Sequence, residues 1–279
     1  MILISPIFLL IPFSPFYFSM TEYDLLKFVT PSRIKSFICW NVPSIPIEKL
    51  CRLFHKDHIF TIENNIKMFL PCKHDYVQTE ILMRRQFFEN TELRKIHKYV
   101  SQGMTFLDVG ANIGNHSLYF SSVLKAKKIY SFEPMPLTYS ILKKNISLNK
   151  LEGTVTLFEC GLGSENTKAE VIIDGLKYNN LGGTNLAQCE TGDLEIRKLD
   201  NIFIPEKIDF IKIDVERMEA FVLKGARETI SREKPVIWIE IFDEKYNEVS
   251  GILTDLGYES IEILSENNYI FKYVGGTCQ

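Results

Sequence analysis

Residues 106–120 read FLDVGANIGNHSLYF: three strand-like residues, an acid, two glycines with an asparagine between them, then an apolar helical run. Gly110 lets the chain bend tightly after a strand, and Gly114 lets the following helix approach that strand. Asn112 stands where many such loops carry a third glycine, and asparagine tolerates the left-handed conformation better than most residues. A strand, a glycine turn and a helix in this order form the first β-to-α connection of an open α/β sheet, where ligands bind.

Outward from that turn the same alternation continues. TFLDVG, KIYSFEP, VTLFECG, DFIKIDV and PVIWIEIF are short β-rich runs separated by helical ones. They predict right-handed βαβ units and a mostly parallel sheet. YESIEIL and NYIFKYV, separated by residues 265–268, predict an antiparallel hairpin at the sheet edge. Before Gly103 the texture is mainly helical, in EKLCRLFHK and TEILMRRQFFENTELRKIHKYV, with a short hairpin in TIENNIKMFLP turned at Asn64-Asn65. Three segments follow: residues 1–19, a mainly helical extension over 20–101, and an α/β domain over 102–279. Residues 168–195 predict a strand, a Gly-Asn loop and a second strand, with Tyr178, Asn179 and Thr184 available to a polar ligand as a lid.

The first 19 residues carry no charge but include Pro6, Pro12 and Pro15, and they lack a basic leader region. They fit neither a signal peptide nor a membrane helix well. Three readings stand side by side: an upstream stretch outside a chain that starts at Met20, a segment allowing peripheral membrane association, or a packing arm. The net charge of −3, without a long basic run, gives no footprint for nucleic acid, and a small-molecule or carbohydrate partner is easier to accommodate. Six cysteines, none in C-x-x-C spacing, argue against a zinc site and a dense disulfide framework, and suit reduced thiols in the cytoplasm. No particular oligomeric state has a sequence signature here.

Glu133 closes the second strand about 20 residues beyond the glycines, the position from which a carboxylate accepts hydrogen bonds from ribose hydroxyls. Asp108 beside Gly110 would repel a pyrophosphate and attract an amine. That favours S-adenosylmethionine over a nicotinamide dinucleotide, and the absence of G-K-[ST] after the glycines argues against ATP.

FLDVGANIGNHSLYF, FEPMP, NISLNKL, ECGLGS, IDFIKIDVERMEAFVLKGA and PVIWIEI, in this order and spacing, resemble the FkbM family of S-adenosylmethionine-dependent methyltransferases over about Lys67 to Ile263. The resemblance implies a Rossmann-like fold with a seven-stranded sheet, and O-methylation, often of sugars in glycans, polysaccharides or natural products. It implies that Asp108, Gly110, Asn112 and Gly114 line the methionine side, Glu133 the ribose, and Cys160 and Gly161 the adenine. Where the family reads D-V-E-G, this chain reads DVER, with Arg217 in the glycine's place.

Methyl transfer to a hydroxyl needs alignment and a group to receive a proton. Period-two alternation puts Lys212, Asp214 and Glu216 on one face at the end of an apolar strand. Asp214 or Glu216 then serves as base, acceptor clamp or metal ligand, or forms an ion pair with Lys212 that organises the site. Glu240 ends the next strand, and His116 lies in the first turn after the glycine loop. Both are further catalytic candidates. Alternatives to a sugar O-methyltransferase are methylation of a small non-sugar molecule and a non-catalytic binding module on the same fold.

Overall fold

The computed structural model describes residues 58–72, 75–171, 186–189 and 191–275. Residues 1–19, Met20, the run Glu48–Lys56, and Tyr178, Asn179 and Thr184 lie outside them. Among the described residues no helix is long and apolar enough to cross a membrane.

β1 (Ile59–Thr61) and β2 (Lys67–Phe69) form the expected hairpin, with Asn64 and Asn65 at φ 58° and 59° in its turn. The helical run that follows does not stay whole. It splits into α1 (Tyr76–Arg84), capped by Asp75 accepting from the Gln78 N–H at 3.0 Å, and α2 (Asn90–Lys95), with Arg85 and Glu89 both at φ 55° between them. The break has a tertiary cause: the Glu63 N–H of the hairpin donates to the Arg85 carbonyl at 2.9 Å, and the Glu63 carboxylate accepts from the Phe87 N–H at 3.0 Å. Periodicity alone reads such a run as one helix, because it does not register a competing partner for the backbone.

β3 (Thr105–Val109), α3 (Asn115–Ser122), β4 (Lys128–Phe132), α4 (Pro136–Leu148) and β5 (Val155–Phe158) make the first half of the α/β core. β6 (Gly161–Leu162), β7 (Thr167–Val171), β8 (Leu186–Cys189) and β9 (Leu194–Arg197) form a separate four-stranded sheet in the order β6-β9-β7-β8. The antiparallel β7–β8 pair matches the predicted inserted strands. β10 (Phe210–Ile213), α5 (Glu219–Gly225), α6 (Arg227–Glu233), β11 (Val236–Glu240), α7 (Tyr246–Asp255), β12 (Tyr258–Ser265) and β13 (Asn268–Tyr273) complete the core.

The main sheet has seven strands in the order β12-β13-β11-β10-β3-β4-β5. All neighbours from β11 to β5 run parallel, whereas β13 is antiparallel to both β11 and β12. This is a Rossmann-like α/β fold with an antiparallel edge hairpin. Strands covered on both faces read as near-continuous apolar runs, and every residue of β3 and β10 is buried. Strand order reverses between β3 and β10, so a crevice opens at their carboxyl ends.

The described residues before β3 are built into this core rather than appended to it. Ile62, Met68, Leu70, Ile81, Leu93 and Ile96 share one apolar cluster with Phe106, Phe120, Phe210 and Trp238 of the sheet and its helices. Asn145 of α4 ties the two parts together, its carbonyl oxygen accepting from the Phe69 N–H and its amide donating to the Ile113 carbonyl at 2.8 Å.

Candidate active site

The glycine turn curls back over the strand ends. The Gly110 and Ala111 N–H groups donate to the Phe132 carbonyl at 3.0 and 2.9 Å. Gly110 has φ 82°, and a Cβ there would lie 1.7 Å from the Asp214 carbonyl oxygen; one at Gly114, φ 89°, would meet Leu142 Cδ1 at 2.6 Å. Asn112 takes the expected left-handed conformation, φ 49°. Its side-chain oxygen is buried without a hydrogen-bond partner, an acceptor waiting for a donor.

Glu133, 6% exposed, is fixed at the tip of β4. Its Oε2 accepts from the Asn112 N–H at 2.8 Å, and its Oε1 from the Met135 N–H at 2.9 Å and the Thr138 hydroxyl at 2.7 Å. Burial pushes its pKa up to about 7 against the pull of these hydrogen bonds.

Glu133, Gly110, Asn112 and Gly161 line one cavity of about 330 Å³, together with Asp214, Glu216 and Glu240. That volume falls within the range of small-ligand sites. Leu162, Leu186 and Ile196 of the small sheet close its apolar end. Among the described residues no group of three or more His, Cys, Asp or Glu side chains could hold a metal ion.

Three expected contributors stand back from this cavity. Asp108 is fully buried; its Oδ2 accepts from Ser117 Oγ, which also contacts Ser131 Oγ at 2.7 Å. It sits opposite Lys212 in the β3–β10 register. Its carboxylate does not line the cavity, because a residue inside a covered strand points into the layer below, and its Oδ1 is buried without a hydrogen-bond partner. Gly114 serves helix packing against Leu142. Cys160 is 2% exposed, and burial pushes its thiol up to about 11, so only its neighbour Gly161 reaches the cavity.

The acidic side is organised by Lys212. This residue is 1% exposed, its Nζ lies 2.8 Å from Asp214 Oδ2, and it sits 5.8 Å from the Trp238 ring centre. Burial would lower its pKa, but Asp214, Glu89 and Asp108 outweigh that and hold it charged. Burial likewise works to raise Asp214, yet Lys212 and a hydrogen bond from Glu240 hold its pKa low. Glu240 moves the other way, raised by burial and by the Asp214 charge. The two carboxyls are thus pushed in opposite directions, Asp214 toward its ionised form and Glu240 toward its protonated one. The period-two reading extends only to Ile213, where β10 ends. Glu216 reaches the cavity through a turn at φ 50°, not along a strand.

His116 is 5% exposed and does not line the cavity. Its ring packs edge-on against Trp238 at 5.2 Å, and Nε2 lies 2.9 Å from Glu89 Oε2 without hydrogen-bond alignment. It stands behind Glu89, which lines the cavity in its place. Glu89 itself, with Tyr76, Phe88 and Phe242, lines the cavity and was not anticipated. Nothing in the local sequence marks Glu89, since it lies within a run of helical texture.

Arg217 leaves the cavity open. Its Nη2 is 3.1 Å from Glu244 Oε1, and its guanidinium lies 5.5 Å from the Phe242 ring centre. Its φ of 76° explains a glycine at this position, since left-handed backbone costs other residues about 1–2 kcal/mol. Arg217→Gly should raise stability by about 1 kcal/mol in denaturant unfolding, because the exposed ion pair lost is worth less than the strain relieved. A loss of similar size would show that the Glu244 bridge and the Phe242 contact dominate.

The methyltransferase FkbM domain matches residues 108–271. The chain belongs to the FkbM methyltransferase family. The FkbM match begins at Asp108, takes in the glycine turn, Glu133 and the Asp214–Glu240 pair, and leaves out Tyr76, Phe88 and Glu89. Methyltransferase sdnD of Sordaria araneosa is 31% identical over 155 residues, covering 44% of this chain and 60% of that protein. Methyltransferase 1 of Beauveria bassiana is 26% identical over 120 residues, covering 42% and 46%. The chain thus spans about half the length of the curated relatives it matches. The crystal structure of an FkbM methyltransferase from Methylobacillus flagellatus covers 85% of this chain and 60% of its own, at 18% identity and a TM-score of 0.45. The fold assignment rests on strand order and register.

Proposed function

We propose that this FkbM-family chain is an S-adenosylmethionine-dependent O-methyltransferase acting on a sugar hydroxyl of a glycan, polysaccharide or related metabolite. The observation that carries the reading is one cavity lined both by the anchored carboxylate of Glu133 and by the carboxyls of Asp214 and Glu240. The unpaired Asn112 Oδ1 and the glycine cradle fit the polar end of such a cofactor, Glu133 its ribose, and Gly161, Leu162 and Ile196 its flat base.

When bound, the cofactor supplies an activated methyl group on a sulfonium. The chain's own residues do the rest. Asp214, kept ionised by Lys212, accepts the hydrogen bond of the acceptor hydroxyl and then its proton as the oxygen–carbon bond forms and the carbon–sulfur bond breaks. Glu240 keeps its own proton and steadies Asp214 through their shared hydrogen bond. Lys212, behind the pair and out of reach of the acceptor, holds the negative charge in place at little reorganisation cost.

The free thiols of Cys160 and Cys189 support a cytoplasmic setting. Calorimetric titration with S-adenosylmethionine should give one site per chain, and labelled methyl should then pass to a neutral sugar acceptor. A folded chain that binds no cofactor overturns the reading and leaves a different use of the same fold.

A further inference from the structure

The acceptor side of the cavity carries Glu89, Asp214, Glu216 and Glu240, and among the described residues no lysine, arginine or histidine lines it. Lys212 is sealed behind Asp214, and Arg217 is paired with Glu244. Glu89 is the member of this group supplied by the segment that precedes β3, and it is held firmly. The Phe88 N–H donates to Asn115 Oδ1 at 2.9 Å, and Asn115 Nδ2 returns a bond to the Phe88 carbonyl at 3.1 Å, which pins the backbone beside Glu89 to the start of α3. Glu89 then adopts φ 55°, and its carboxylate rests on His116 Nε2 at 2.9 Å. Beside it the rings of Phe88 and Tyr76 meet edge to face at 5.7 Å, and Phe242 lines the same cavity.

Building on the methyltransferase reading above, we infer that Glu89 is a specificity-determining residue: with Asp214, Glu216 and Glu240 it selects acceptors uncharged around the reacting hydroxyl and rejects phosphate- or carboxylate-bearing ones. Ionised carboxylates can only accept hydrogen bonds, which suits a ring of hydroxyl donors. An anionic acceptor would find no cation among the described lining residues and the like charges of Glu89 and Asp214 at short range, a repulsive element of the kind that sets specificity. The aromatic rings offer flat apolar surface to the C–H face of a sugar ring.

The test uses the full chain and a paired panel: glucose, galactose and mannose as methyl glycosides, each beside its 6-phosphate and its uronate, with methyl-labelled S-adenosylmethionine. S-adenosylhomocysteine affinity is measured in parallel. A neutral member should be labelled with kcat/KM at least about tenfold above its anionic partners. Glu89→Gln should narrow that gap by roughly tenfold while the S-adenosylhomocysteine dissociation constant stays within twofold. Equal labelling of neutral and anionic partners, or an unchanged gap in a Glu89→Gln chain that binds S-adenosylhomocysteine normally, overturns the inference alone. Cofactor binding with no member labelled overturns the carbohydrate acceptor and the inference with it. Failure to bind cofactor is the separate failure of the methyltransferase reading.

Discussion

Asp214→Asn is expected to lower turnover by roughly 100- to 10,000-fold, the range for loss of a general base, while cofactor affinity stays within a few-fold. Asparagine keeps the size of Asp214 and an oxygen facing Lys212 Nζ, now 2.8 Å from Asp214 Oδ2, but it cannot take up the hydroxyl proton. Glu240→Gln should cost less, since glutamine can still donate a hydrogen bond to Asp214 as the protonated acid does. Glu216→Gln should cost least of the three, because Glu216 approaches from a turn and takes no part in the Lys212 pairing shown by Asp214. Single-turnover kinetics with saturating cofactor separates these effects from binding. If Asp214→Asn turned over normally while His116→Ala were inactive in a folded protein, the base would have to be sought through the His116–Glu89 contact.

Glu133→Ala should weaken cofactor binding by at least about 100-fold, because two ribose hydroxyls lose a charged acceptor and each such bond contributes about 1.5–3 kcal/mol. The carboxylate also holds the Asn112 and Met135 N–H groups and the Thr138 hydroxyl. Glu133→Gln is therefore the companion variant, keeping one acceptor for the loop. The wild-type protein adds a pH signature. Donors on a ligand favour the ionised form of Glu133, whose pKa in the free protein is raised to about 7. Affinity should fall about tenfold per pH unit below 7 and level off above it, a dependence that Glu133→Gln removes. For folding the sign is opposite. The raised pKa means that Glu133's contribution to stability is full below its ordinary value and is lost as pH rises through about 7. Calorimetry between pH 5.5 and 8.5 checks the binding arm; affinity independent of pH in the wild type would remove Glu133 from the ribose site.

Much of the glycine-turn side of the cavity was legible in the chain because it depends on backbone geometry that few residues permit. Gly110 must be glycine where a Cβ would strike the Asp214 carbonyl, and Asn112 suits the left-handed turn it occupies. Glu133 was identified by its distance from that turn, a spacing fixed by one helix and one strand. The catalytic face was legible only in part. Lys212 and Asp214 pair as their alternation suggested, but β10 stops at Ile213, so Glu216 arrives by a different route.

By itself the sequence determined the βαβ frame, the edge hairpin, the glycine turn and its partner acid, since each depends on residues near one another in the chain or on a repeating apolar pattern. Tertiary structure alone decided the rest. Asp108 and His116 look ligand-facing by position, but covering layers bury them and turn them toward Ser117 and Glu89. Glu89 became a wall of the cavity because Glu63 captures the backbone at Arg85 and Phe87, breaks a helix-like run, and frees the next turn to dock on Asn115. Those bonds span 22 to 27 residues, and hydrophobic periodicity, a local pattern, does not encode partners at that range.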